Sequence, residues 1–404
     1  MMPDIKTWIV TEYYYPTIIS TGYYITEIAE YLAIKNNNIH VICTNSNYNN
    51  TINQATEKED VVNNVHIHRV FIRNISKNVF ILRAIKLFWS SLKLFLKLIC
   101  KVRSGDKVLV VTNPAFLFLL LPIIKKIRKI QYNILIHDIF PENLVAIGKI
   151  RKTSILYKTL RILFDHAYSQ AETCIAIGRD MIEVIKSKLR NRSKIILITN
   201  WADVEEVFPV EKEKTKMINH LNLANKFVYQ FAGNLGHAQG LDNILEAIKM
   251  IDNSNLHFLF IGAGAKEETI RDYIKNNSKG NVTLVGFQSR NDQNDFLNAC
   301  DIAIVTLNEG MFGLGVPSKA YNIMASGKPI IIIADKNSEI SLCVKEFNLG
   351  WVVEPNSPNT LKDIFCKVYE DAVSNKTMTT NSRQIAENYF AKNIILNKYS
   401  ELLS

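Results

Sequence analysis

Short apolar runs set between helical patterns recur from one end of this 404-residue chain to the other. A strand feeding a helix feeding a strand leaves few architectures open. It builds parallel sheets covered by helices on both faces. The runs fall into two series. Strands of the first are expected near 5–11, 39–44, 65–71, 107–112, 132–137, 173–177 and 194–198. After a break at 200–209 and the charged run EKEKTK, the second places them near 226–232, 256–261, 281–286, 301–305, 329–333 and 350–353. Each series is long enough to close its own doubly wound sheet. The expected fold class is therefore α/β, with two Rossmann-like lobes facing a cleft. The lobes are expected to span 1–203 and 204–381, with a helix over 382–404 crossing back to the first.

Within that frame the stretch 313–333, GLGVPSKAYNIMASGKPIIII, carries the most chemistry. Pro317 suits the first turn of a helix, Gly327 closes it, and the isoleucines after Pro329 read as a buried parallel strand. Ser318 and Lys319 stand at the helix start, where unpaired N–H groups concentrate partial positive charge. A hydroxyl and an ammonium there suit a phosphate or diphosphate. An ordinary loop–helix–strand unit with a solvated lysine is the plain alternative.

Glycines mark two further strand ends. Gly22 follows strand 5–11 and opens a helix, which allows close approach of a phosphate or sugar. The second lobe starts likewise, with Gly233, Asn234, Gly236 and Gln239 between VYQFAG and the next helix. Gly262 and Gly264 follow FLFIG, but no third glycine completes a dinucleotide fingerprint and no acid ends the next strand. Strand 132–137 ends in His137 and Asp138, followed by Pro141 and Glu142. An imidazole and carboxylates at a strand's carboxyl end can deprotonate or orient a hydroxyl, although an Asp capping a turn before proline is equally ordinary. No DxD, P-loop, HExxH or GxSxG motif occurs.

Charge is uneven. The chain carries +10, yet residues 77–152 hold fifteen Lys plus Arg against three acids, a local +12 that leaves −2 elsewhere. Such a patch is a footprint for something anionic. Within it Arg83, Lys86, Ser90, Lys93, Lys97 and Lys101 recur at helical spacing among Phe, Leu, Ile and Trp89. Their charges argue against a transmembrane helix. Either an interfacial helix on anionic lipid or a sheet-covering helix with a solvated basic edge fits the pattern. The six cysteines are scattered singly, without metal-ligand spacing, and read as buried thiols in a reducing cytoplasm. An apolar strand pattern by Ile5 leaves no room for a signal peptide.

Taken together, GNLGHAQGL, IGAGAKEE, VGFQSR, TNWAD and GVPSKAYNIMASGKP resemble the family-four glycosyltransferases of the GT-B fold. The likeness is to bacterial O-antigen and capsule enzymes, including N-acetyl-fucosaminyl and hexosaminyl transferases. It implies transfer of a sugar, an N-acetylamino sugar, from a nucleotide sugar to a lipid-linked saccharide, with retention and without a metal or other cofactor. UDP as the nucleotide rests on the resemblance alone. The resemblance makes Gly22, Gly233, Asn234, Gly236, Gln239, Gly262, Gly264, Phe287, Pro317, Ser318 and Asn322 donor-binding candidates. Asp138, His137 and Lys319 are the catalytic ones. The expected location is the cytoplasmic side of an anionic inner membrane, as a peripheral protein, with no nucleic-acid partner. Two departures stand out. Asn234 and Gln239 occupy places where many members carry an Arg and a Lys, and Leu314 and Asn322 replace two glutamates. Lys319 is then the obvious cation. A nucleotide-sugar epimerase on the same fold, or an inactive homologue serving as an assembly partner, are the competing readings. A two-lobed solute-binding protein would need a signal peptide.

Overall fold

The computed structural model describes residues 5–17, 19–35, 38–45, 57–72, 80–189, 194–374 and 381–403, with the main chain alone for 80–84. Lys77 and the Arg83 side chain of the basic stripe lie outside the described residues. The chain divides into two compact units. Unit 1 comprises residues 1–199, 313–315 and 395–404, and unit 2 comprises 200–312 and 316–394.

Unit 1 runs β1 (Lys6–Val10), α1 (Ser20–Ile34), β2 (Asn38–Thr44), β3 (Glu59–Val62), β4 (Val65–Val70), α2 (Phe80–Lys101), β5 (Lys107–Val111) and α3 (Ala115–Arg128). It continues through β6 (Gln131–Ile136), α4 (Glu142–Ala146), α5 (Ile155–Gln170), β7 (Thr173–Ala176), α6 (Arg179–Lys186) and β8 (Ile195–Leu197). The sheet order is β3-β4-β2-β1-β5-β6-β7-β8. All pairs are parallel except β3 with β4. The chain works outward from β1, then returns past it to β5. Right-handed crossovers therefore put α1 on one face and α2, α3 and α5 side by side on the other.

Strand β3 departs from the sequence expectation. EDVV is short, charged and half exposed, so it lacks the buried apolar run that marks the other strands. Asn63 and Asn64 both adopt the left-handed conformation (φ 50° and 62°), which a two-residue hairpin of this twist needs.

Unit 2 runs α7 (Lys216–His220), β9 (Phe227–Ala232), α8 (Leu241–Lys249), β10 (Leu256–Ile261), α9 (Glu267–Asn276), β11 (Val282–Val285), α10 (Gln293–Asn298) and β12 (Ile302–Thr306). Then come α11 (Lys319–Ala325), β13 (Ile330–Ile333), α12 (Glu339–Glu346), β14 (Gly350–Val353), α13 (Pro358–Val373) and α14 (Ser382–Tyr389), while the last helix, α15 (Lys392–Leu403), belongs from residue 395 onward to unit 1. The sheet is fully parallel in the order β11-β10-β9-β12-β13-β14. Apolar clusters fill both of its faces, and β13 is four buried isoleucines. The single helix expected over 382–404 is instead two, α14 and α15, interrupted where Ala202 N–H donates to Phe390 O and Lys392 N–H to Ala202 O.

Four of the six cysteines are buried and Cys366 is half-buried, but Cys100 is exposed near the end of α2. The reading of all six as buried thiols fails there, because residue 100 falls on the outward side of the helix.

Candidate functional site

In unit 2 the strand order reverses between β9 and β12, and ligands of open α/β sheets bind outside the carboxyl ends at such a point. The loop after β9 holds Gly233, Asn234, Gly236 and Gln239; the loop after β12 leads to Lys319. These loops meet. Thr306 Oγ1 donates to Gln239 O (2.8 Å), and Asn308 N–H donates to Ala238 O (2.8 Å).

Lys319 is the unusual group. Its stem reaches solvent in part, but its ammonium is buried 3.5 Å above the Phe231 ring, without a hydrogen-bond partner among the described residues. Burial pulls its pKa down to about 7. Gly233 makes the place for it, since a Cβ there would lie 3.0 Å from Nζ, and φ at Gly233 is +142°. Stacking on an aromatic face offsets part of the desolvation of the cation. A second buried polar atom, Gln239 Oε1, also lacks a partner among the described residues.

The other glycines are fixed by backbone approach. A Cβ on Gly262 would sit 2.0 Å from Gly233 O, and one on Gly264 would sit 2.5 Å from Leu235 O. The loops after β9 and β10 are laced together by Gly233 N–H to Ile261 O and Leu235 N–H to Ala263 O. The Asn234 side chain lies against Gly236 and Gly264. Phe287, 60% exposed, stands two residues beyond Val285, whose carbonyl receives Gly262 N–H.

Helix α11 begins at Lys319, two residues later than Pro317. Ser318 stands at its N-cap position without a side-chain capping bond, and Gly327 ends the turn at φ +73°, its N–H reaching Met324 O. Asn322 is buried and its Oδ1 accepts from Asp203 N–H at 2.8 Å. Asp203 also pairs with Arg290 Nη2 at 3.0 Å. Asn322 thus ties the TNWAD segment to α11, a use that sequence spacing gave no means of finding.

In unit 1, Asp138 and His137 follow β6, and both their N–H groups donate to Thr112 Oγ1 at the end of β5 (3.1 and 3.2 Å). Burial lowers the His137 pKa to about 4, so its ring is neutral at pH 7. Burial raises the Asp138 pKa, against the pull of Asn143 Nδ2 donating to Oδ1 at 2.8 Å. Asn143 escaped sequence reasoning because the contact needs the turn from β6 into α4. Beneath that turn Lys188 is held between Glu142 (2.7 Å) and Asp165 (2.8 Å). Gly22 lies in the first turn of α1, where a Cβ would meet Thr17 O at 2.9 Å. Structure thus brings Lys319 against Gly233 within unit 2, ties Gln239 to Thr306 at the end of β12, and holds His137 with Asp138 within unit 1. Among the described residues no group of three or more His, Cys, Asp or Glu could hold a metal ion.

Comparison with known proteins bears on the family. Residues 213–385 match the family model described as Glycosyl transferases group 1. The chain is 38% identical over 325 residues to "Probable glycosyltransferase WbjE" of Pseudomonas aeruginosa, covering 80% of this chain and 81% of that protein. It is 24% identical to the capsular polysaccharide biosynthesis glycosyltransferase CapM of Staphylococcus aureus over 249 residues, 59% of this chain and 63% of the other. Among solved structures, Anabaena HepE in complex with UDP superposes with a TM-score of 0.76 at 15% identity, over 99% of both chains. The doubly wound sheets, the glycine-laced loops and a relative alike over four-fifths of both chains lead to one conclusion: the chain belongs to the group 1 glycosyltransferases and has the GT-B fold.

Proposed function

We propose that the enzyme transfers an N-acetylamino sugar from a UDP-sugar to a lipid-linked saccharide during O-antigen or capsule polysaccharide synthesis. The transfer proceeds with retention and without a metal, at the inner face of an anionic membrane. The observation that carries the reading is the Lys319 ammonium, buried without a partner among the described residues beside Gly233 at the switch point of unit 2. Leaving a cation desolvated and unpaired is costly, and an incoming diphosphate removes that cost. The developing charge on a departing nucleoside diphosphate is stabilised by such a preorganised group. The UDP in HepE and the capsule polysaccharide role in the name of CapM support the donor and pathway. Asp138 and His137 belong to acceptor or sugar hydroxyls in this reading, and Gly22 to the donor. The candidates Gly233, Asn234, Gly236, Gln239, Gly262, Gly264, Phe287, Pro317 and Ser318 line the donor. Asn322 contributes by holding Asp203.

A panel of nucleotide sugars is screened for thermal stabilisation, where a ligand at 100 times its Kd adds about 2.7 kcal/mol. The stabilising donor is then used for transfer to a membrane lipid extract, with chelator present, and the product anomer is assigned by NMR. Stabilisation by UDP-N-acetylamino sugars with an α-linked product from an α-donor is expected. Stabilisation without turnover returns the chain to the assembly-partner reading, and conversion of the donor to its epimer returns it to the epimerase.

A further inference from the structure

The three helices on one face of unit 1 do not present the surface that the basic stripe of α2 suggested. Its lysines are tied to neighbouring groups at the edge of the unit. Lys93 Nζ donates to Phe71 O at 2.8 Å, and Lys97 and Lys101 both bond Glu59 Oε1 (3.3 and 3.2 Å). That carboxylate, gripped by both ammonium groups and by His68, has its pKa lowered to about 2. Lys86 is buried. Apart from Lys93 and Cys100, what faces outward is apolar. Ile85, Phe88, Trp89 and Leu96 are each 43–52% exposed, at spacings that put them on one side of the helix.

The stripe continues onto α3. Phe88 meets Phe116 edge-on at 6.4 Å between ring centres, and further along Arg128 Nε donates to Ile99 O at 2.8 Å. The two helices therefore lie side by side, and Ile123 and Ile127 of α3 are exposed at 46% and 58%. Lys126, Arg128 and Lys129 fringe the same end of α3. Neither helix contains an Asp or Glu, against five basic residues in α2 and three in α3.

We propose that this face of α2 and α3 is a membrane-docking surface, with Phe88 and Trp89 entering the acyl boundary of an anionic leaflet and the α3 basic fringe meeting its headgroups. A contiguous apolar strip of this kind is rare on a surface that meets only water. Charge decides between occupants. A symmetric dimer through the patch would press the same surface against itself, and so set basic helices against basic helices with only Glu59, already shared by Lys97 and Lys101, to offset them. An anionic leaflet supplies the opposite sign, and aromatic side chains with basic neighbours are what an interfacial helix needs. The inference rests on the lipid-linked acceptor proposed above only for its purpose.

The full-length protein is sedimented with vesicles of phosphatidylglycerol and phosphatidylcholine, and with phosphatidylcholine alone, without nucleotide or acceptor. Binding to the anionic vesicles, weakened by salt, is expected. Trp8 and Trp201 are buried and Trp351 is half-buried in β14 of unit 2, so a blue shift of emission and quenching by brominated lipid should follow Trp89, the exposed tryptophan, and be much reduced in Trp89→Phe. Phe88→Glu with Trp89→Glu should lower partitioning roughly tenfold or more, because two apolar anchors are removed. Both sites are exposed, so the thermal midpoint should hold. Lys126→Glu with Lys129→Glu should weaken binding to anionic vesicles and flatten its salt dependence. Absence of vesicle binding overturns the proposal, as does binding that the Phe88 and Trp89 changes leave intact. A concentration-dependent dimer that those changes dissolve, with no vesicle binding, assigns the face to a second copy instead. No donor enters this assay, so its failure leaves sugar transfer standing.

Discussion

Lys319 shows how a single side chain can be both expensive and useful. Its position was legible from the VPSK spacing, but its burial above Phe231 was not, because that ring comes from a strand remote in sequence. Lys319→Ala should reduce turnover about 100-fold or more, as removal of one preorganised electrostatic donor commonly costs about 2.7–4 kcal/mol. Steady-state kinetics on folded protein check it, and unaltered turnover would remove Lys319 from the machinery. In the proposed reading the same residue makes transfer proton-linked. With its pKa near 7, the free enzyme holds it largely neutral above that pH, and a diphosphate alongside favours the charged form. Donor binding should then take up a proton above about pH 7, and affinity should fall as pH rises. Calorimetry in two buffers of different ionisation enthalpy reads the uptake, which Lys319→Ala should abolish. Replacement by Met should raise the melting temperature, most at or below neutral pH. That gain shrinks as pH climbs toward the ordinary lysine value of 10.5, where the unfolded chain also loses its proton. Asp138 offers a contrast. Its place after β6 was legible, whereas the Asn143 amide and the Thr112 hydroxyl that orient the turn arrive from other elements. Asp138→Asn is expected to slow transfer while leaving nucleotide affinity nearly intact; a matching drop in affinity would reassign the loop to the donor.

Among elements, the parallel strands were legible because both faces of each are buried and their sequences are almost unbroken apolar runs. Strand β3 and the orientation of α2 were not, and for one reason. Glu59 in β3 anchors Lys97 and Lys101, so the charged side of the helix finds its partner in a strand that pattern alone passes over. The same strands hold a ring stack, buried at Trp8 and His40 and exposed at His66. Trp8, His40 and His66 face one another across β1, β2 and β4, with His40 4.6 Å from Trp8 and 4.7 Å from His66 between ring centres. His40 Nδ1 lies 3.1 Å from His68 Nε2. Burial lowers the pKa of His40 to about 3 and lowers that of His68 as well, so both stay neutral in the fold. The unfolded chain protonates them near pH 6.5. Their contribution is thus complete above that pH and declines as pH falls toward about 3. Urea midpoints should drop between pH 6.5 and 4, and His40→Gln should make that slope shallower. An unchanged slope would place the acid sensitivity elsewhere.

At the scale of the molecule, the two series of strands foretold two doubly wound sheets. What the pattern did not reveal is that the last stretch is two helices, since Phe390 and Ala391 interrupt it through main-chain bonds to Ala202. Both cores of unit 2 are drawn from residues between Ala202 and Phe390. A chain of residues 200–394 is therefore expected to fold cooperatively by itself and to keep most of the affinity for UDP. Circular dichroism melting and calorimetry test the two parts separately. The exposed thiol of Cys100 carries a different consequence. Every other described cysteine is buried or half-buried, so a maleimide probe added briefly should react there first. The chain thus comes with its own address for a spin label or fluorophore at the end of α2, close to the apolar strip. Such a label would report arrival at a bilayer in real time without a single engineered residue.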